Sequence, residues 1–365
     1  GDHQAKLVGS IDTLVAALDA GGADYRIGVT TSDNGNLWCP AGNTTPESGK
    51  LVLSSCKSRL GDFLFGNDVD VQDLACNDLC SLDGAALEIT PTATQVDPNP
   101  IPRPWVERIG GATNLPAGTD VADALRCFLP QGVNGCGFES QLESMYLSVV
   151  RAMTPTEAHY GFIRPDSVLA VILVTDEADC SANDDSIFQA DGNQVFWSDP
   201  MAAYPTSAVC WNAGVVCVGD PSAYDSCDPV NKDVNGNSNV SDEQAVLHPV
   251  SRYTGLLADL EADLQQLQPG REIVVGYIGG VPSNGVPFYA DVSLTDPAYQ
   301  DSFGIGPGCS APNPLDPNWP ITAVPPVRAR DVTEAFGEGT LYSICESSYG
   351  SALADIAGRI VTQLP

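Results

Sequence analysis

The acidic run Thr175-Asp176-Glu177, with Asp179 two residues on, directly follows an unbroken apolar stretch, Val168 to Val174. A stretch of that length, rich in Val and Ile, reads as a strand buried on both faces, as in a parallel sheet covered by helices. Acids at its end lie at the carboxyl edge of the sheet, where open α/β sheets bind their ligands. Carboxylate oxygens there are hard donors suited to Mg²⁺ or Ca²⁺. The plainer alternative is a solvated acidic loop. A second oxygen-rich segment is Asp233-x-Asn235-x-Asn237-x-Asn239. Alternate side chains of this kind can ring one point, as at the start of an EF-hand-like calcium loop. Ser238 stands where that loop has Gly, and Gln244 where it has Glu, so a polar loop with turn-capping Asn side chains is the competing reading.

Motifs for covalent chemistry are missing. There is no G-x-S-x-G, no H-E-x-x-H and no phosphate-binding glycine loop. Of three histidines, His159 sits in a loop before a strand and His248, before Pro249, heads a helix region; both read as structural or solvated. Asp176 and Glu177 are adjacent at a strand end, so their side chains diverge and are not expected to act as an acid–base pair. Thr31-x-Asp33-x-Gly35-x-x-Trp38 fits a single Asp-box turn and reads as a local hairpin. Trp197 and Trp211 either anchor a partner or pack against nearby disulfides. The expected class is a binding or structural protein, not an enzyme.

The elements that position these residues follow from periodicity. Leu7, Val8, Ile11, Leu14, Val15 and Leu18 share one helical face over 4–18, and Gly21-Gly22 ends it. Residues 25–31 read as a strand, with a further short strand at 51–53. Leu142, Met145, Val149, Val150 and Met153 mark a helix before the strand at 168–174. A helix over 253–267, strands at 272–278 and 341–345, and a helix over 348–363 complete the order. Alternation of helices and apolar strands predicts an α/β fold with a doubly wound, mostly parallel sheet. One domain over 1–365 is expected, with long insertions at about 34–118, 180–248 and 280–335.

Composition narrows the partners. The 365-residue chain carries 47 acids against 16 bases, a formal charge of −31. Phosphate contacts need a basic face, so nucleic acid is excluded as a natural partner. Cation binding, or solubility in a salty medium, is favoured. No run is long enough to cross a bilayer. Twelve cysteines in loop-like sequence predict disulfides in an exported protein. Short-range and loop-to-loop pairing is expected, with Cys309–Cys345 tying the last insertion to the last strand and Cys39–Cys56 and Cys127–Cys136 closing loops.

The order and spacing of five segments resemble the von Willebrand factor A domain: residues 25–31, Gly135-Cys136-Gly137-Phe138-Glu139, 162–166, Val174-Thr175-Asp176-Glu177 and Ser343-Ile344-Cys345. The chain is similar to large cysteine-bearing versions in exported lipoproteins of myxobacteria and relatives. The resemblance implies a metal-ion-dependent adhesion site, in which a divalent cation at the top of the sheet is completed by a partner's carboxylate. Asp176 matches the third loop of that site. The second loop is matched either by Thr119, beside Gly118, or by Glu139, just before the long helix. The first loop, D-x-S-x-S, and the central strand before it lie outside this chain. That strand is expected from upstream residues or from another chain, leaving the sheet open between 25–31 and 168–174. The function implied is an extracellular metal-dependent adhesion or protein-binding module at the cell surface or outer membrane, with an upstream lipid anchor possible in principle. The alternative is a structural subunit of a surface layer or filament.

Overall fold

The computed structural model describes residues 1–39, 46–66, 69–313 and 320–364. The chain opens with α1 (Asp2–Gly9) and α2 (Ile11–Ala20), then β1 (Tyr25–Ile27). The first long insertion contains β2 (Leu64–Phe65), β3 (Val69–Asp70), β4 (Val106–Ile109) and β5 (Ala112–Thr113). Next come α3 (Val121–Phe128), α4 (Gln141–Met153) and β6 (Ala170–Val174). The second insertion holds α5 (Ala208–Gly214) and the hairpin of β7 (Val215–Asp220) and β8 (Ala223–Pro229). It leads into α6 (Val250–Leu267) and β9 (Val274–Gly279). The third carries α7 (Pro297–Phe303), β10 (Cys309–Ala311) and β11 (Ile321–Ala323). The chain then runs through α8 (Arg328–Glu334), β12 (Leu341–Ser343) and α9 (Gly350–Thr362).

The centre is a three-stranded parallel sheet in the order β12-β9-β6, with Ala170 opposite Val274 and Leu341 opposite Tyr277. Parallel neighbours need crossover connections, and helices supply them. Side chains alternate across β9. Val275 and Tyr277 join Leu142, Met145, Tyr253, Leu257 and Val332 on one side. Ile278 joins the cluster of α2, α3 and α9 on the other. Every residue of β9 is buried, whereas in β6 only Leu173 is. The difference is one of position: β9 has a neighbour on each side, and β6 is an edge strand with no pairing on its far side among the described residues.

β1 belongs to a separate antiparallel sheet, β1-β4-β5. The expected parallel sheet is present as the three-stranded β12-β9-β6 core, while β1 lies in a second, antiparallel three-stranded sheet instead of joining it. Local corrections follow from backbone chemistry. The first helix is broken at Ser10, whose hydroxyl donates to the Lys6 carbonyl at 2.8 Å, a back-bond that bends or interrupts helices. Regular pairing in the predicted 25–31 strand stops at Ile27, although Val29 still accepts from Val52 N at 2.8 Å.

Six disulfides use all twelve cysteines. Cys309–Cys345 forms as expected. The other two expected pairs do not. Cys39 joins Cys136, Cys56 joins Cys76 and Cys127 joins Cys80. Cys56 lies against Cys76 because the short helices bearing them pack together, a contact that sequence spacing cannot rank. Cys180–Cys210 and Cys217–Cys227 staple the second insertion. Such a set fits an oxidising, extracellular setting. No helix among the described residues is long and apolar enough to cross a membrane.

Candidate functional site

Three loops meet at the carboxyl end of β6. The loop after β1 is tied to the one before α4 by Ser140 N donating to Ser32 O at 2.8 Å, and Cys136 N donates to Asp33 Oδ2 at 3.2 Å. The loop before α4 is tied to the one after β6 by Cys180 N donating to Glu139 O at 2.7 Å, with Ser140 Oγ donating back to Cys180 O at 3.0 Å. Asp176 is fixed from the third insertion, since its carbonyl accepts from Val324 N at 2.8 Å. A side chain at Gly280 would meet the Val324 carbonyl at 2.0 Å, so only glycine lets the exit of β9 pass this close to the backbone that anchors Asp176.

On this frame Glu139, Asp176 and Glu177 are electrostatic neighbours around one recess at the end of β6, without converging on a single point. Thr175 Oγ1 donates to Glu139 Oε2 at 3.1 Å, and Glu177 N donates to Thr175 Oγ1 at 3.1 Å. His3 Nε2 approaches Asp176 Oδ2 at 3.5 Å, while its Nδ1 lies 2.9 Å from the Tyr349 hydroxyl. The Asp176 side chain keeps 44% of its surface accessible, so the recess is open to solvent. The electrostatics are those of crowded carboxylates. Desolvation and then the Asp176 charge push Glu139 up to about 7, against hydrogen bonds from Thr175 and Ser32 that favour its ionised form. Desolvation, Asp176 and Glu139 drive Glu177 well above the usual carboxylate range, and Glu177 Oε2 is buried without a hydrogen-bond partner among the described residues. Desolvation also opposes ionisation of Asp176, but the hydrogen bond and charge of His3 win and hold it low.

The structure treats the remaining candidates differently. Thr119 precedes α3 and donates to the Ala86 carbonyl at 3.1 Å; among the described residues it makes no hydrogen bond to Asp176 or Glu139. Asp179 turns away from the recess. It accepts from Leu142 N at 3.2 Å and Ser181 Oγ at 2.6 Å, and pairs with Arg328 Nε at 2.9 Å, with both charged side chains almost fully buried. In the Asn-rich segment, Asp233 Oδ1 accepts from Asn235 N and Asn237 N, and Oδ2 from Asn237 Nδ2. Asn239 adopts φ 60°, the left-handed region that Asn tolerates. The segment is a self-capped turn, and the calcium reading of Asp233, Asn235, Asn237 and Asn239 gains no support from it. Trp197 is buried beside the Cys180–Cys210 disulfide, in the packing role.

Thr175, Ser32 and His3 were not singled out by sequence reasoning. The signal for Thr175 was its place between an apolar strand and an acid. His3 offered none, because its meeting with Asp176 depends on how α1 docks. Among the described residues, no three His, Cys, Asp or Glu side chains converge as a ready ligand set. The donors present are two carboxylates, Glu139 and Asp176, and the hydroxyls of Thr175 and Ser32. All are hard oxygens, and Mg²⁺ is commonly held by one or two carboxylates with the remaining positions left to water or substrate. Compared with known proteins, the chain matches no family model, no curated protein and no solved structure.

Proposed function

We propose that the protein is an extracellular binding module of the von Willebrand factor A type, in which the Glu139–Asp176 recess holds a divalent cation. The observation that carries this reading is the meeting of the loops bearing Glu139 and Asp176 at the carboxyl end of a parallel strand, with Thr175 hydrogen-bonded to Glu139 and one Glu177 oxygen without a partner among the described residues. Neighbouring carboxylates disfavour one another's ionised form, and a bound cation would relieve that. Asp176 and Glu139 would hold it, directly or through water, with Thr175 and Ser32 orienting Glu139. The cation would offer an open position to a carboxylate on a protein partner at the cell surface. Helices on both faces of the β12-β9-β6 sheet are the layering that the resemblance implies.

The test is thermal melting with Mg²⁺, Mn²⁺ or Ca²⁺ at matched ionic strength. A native-state ligand stabilises by mass action, by about 2.7 kcal/mol at a hundredfold excess over its dissociation constant. The melting temperature should rise with at least one of these ions and should not rise in Asp176→Ala or Glu139→Gln. An unchanged melting curve with all three overturns the reading.

A structural subunit is the second reading, favoured by the open edge of β6, where apolar Ala170, Val171, Ile172 and Val174 are only half-buried. An unpaired apolar edge is a template for strand addition. Self-association in sedimentation experiments that persists in Asp176→Ala and in EDTA would support it.

A further inference from the structure

A cavity of about 410 Å³ lies between the second and third insertions, apart from the acidic recess. That volume is within the range of about 300–1,000 Å³ typical of small-molecule sites. The Cys217–Cys227 disulfide secures one wall; at another, a side chain at Gly304, which ends α7, would meet Trp211 at 3.0–3.1 Å, so glycine leaves the indole its place.

Its polar lining is divided. Lys232 Nζ donates to the carbonyls of Asn212 at 2.6 Å and Val215 at 2.8 Å. An ammonium has three donors, and no carboxylate is paired with Lys232 among the described residues. Burial alone holds its pKa below the usual lysine range. In a chain with 47 acids against 16 bases, a half-buried lysine without an acid is conspicuous. Trp211 is 6% exposed and also lines the cavity, and its indole N–H has no protein acceptor among the described residues. The third ammonium donor of Lys232 and the Trp211 indole N–H could both serve an oxygen acceptor. Elsewhere on the lining is one carboxylate, Asp291, positioned by the Tyr224 hydroxyl and Gln300 Nε2, both at 3.1 Å. Each Asp291 oxygen takes one such bond and keeps a lone pair for a further donor.

We propose that this cavity binds a small zwitterion, an amino acid or dipeptide, with its carboxylate at Lys232 and Trp211 and its ammonium at Asp291. Net charge supports this choice over a simple anion, which a chain of −31 repels. Trp211, Phe196 and Tyr224 provide apolar surface for a side chain.

Calorimetric titration of the full chain with L-phenylalanine and with alanyl-phenylalanine tests the assignment. Phenethylamine lacks the carboxylate and 3-phenylpropionate lacks the ammonium. Saturable binding of at least one zwitterion is expected, with each control at least tenfold weaker. Asp291→Asn keeps a side-chain oxygen for Tyr224 and should weaken binding at least tenfold. Val195→Trp places bulk at a rim position that is 48% exposed, which folding tolerates, and should abolish binding. Circular dichroism melts verify that both variants are folded. No binding of either zwitterion at millimolar concentration, equal binding of the controls, or affinity unchanged in folded Asp291→Asn would each overturn the proposal.

Discussion

At the residue scale, a histidine outside the acidic recess gives the sharpest prediction. His159 is 3% exposed, and its Nε2 accepts a hydrogen bond from Leu51 N at 2.8 Å. A nitrogen that accepts carries no proton, so the native state holds this ring neutral. Desolvation lowers its pKa from the usual 6.5. The sign follows: below pH 6.5 the unfolded chain binds a proton that the folded chain refuses, so stability is present above that pH and is lost as pH falls through it. The loss is at most about 1.4 kcal/mol per pH unit for one group. His159→Gln keeps an acceptor but does not titrate. Melting curves between pH 7.5 and 5 should therefore fall less steeply for His159→Gln than for the parent chain; equal slopes would show that His159 does not control this window. The sequence marked His159 as structural or solvated, and the structural half of that reading is what the backbone contact supplies.

At the element scale, the link between β6 and α8 is decisive for the second insertion. Asp179 and Arg328 are separated by 149 residues and meet at 2.9 Å in a dry environment. Arg328 Nη2 also donates to the His248 carbonyl at 2.6 Å, which fastens the end of the insertion just before α6. Removing one partner of a buried pair leaves an uncompensated charge and costs about 3–5 kcal/mol, whereas replacing both with neutral groups costs less. Arg328→Met should lower stability by about that amount in urea titrations with the disulfides intact, and Arg328→Met with Asp179→Asn should recover much of it. Additive losses in the double variant would mean that the pair is not coupled. Asp179 entered the sequence reading only as one more acid beside Asp176. Its partner lies on a short helix that periodicity did not reveal, so its structural role was hidden.

At the scale of the whole molecule, charge sets the background for any cation test. A net charge of −31 repels itself in the compact state. The screening length falls from about 30 Å at 0.01 M to about 8 Å at 0.15 M ionic strength. Differential scanning calorimetry should show the melting temperature rising between those NaCl concentrations, and the rise should survive Asp176→Ala, because it comes from screening and not from a site. A flat response would show that the acids are locally compensated, contrary to this account.

What the sequence determined by itself is what local patterning encodes. Apolar runs and helical periodicity located α4, β6, α6, β9, β12 and α9 to within a few residues, because burial on one face or on both leaves a periodic trace. Charge argued against nucleic acid as a partner, and cysteine number implied the disulfides that form. The acidic end of β6 was visible because strand and acids are contiguous. Tertiary structure alone decided the matters of docking between distant segments. It brought Glu139 to the recess and left Thr119 on the Ala86 carbonyl, two readings that the spacing could not separate. It rejected Cys39–Cys56 and Cys127–Cys136 in favour of partners up to 97 residues apart. It separated β1 from the parallel core, and it shaped a cavity from two insertions whose polar loops carry no period. Contacts across such loops depend on how rigid elements pack in space, and a one-dimensional pattern holds no record of that.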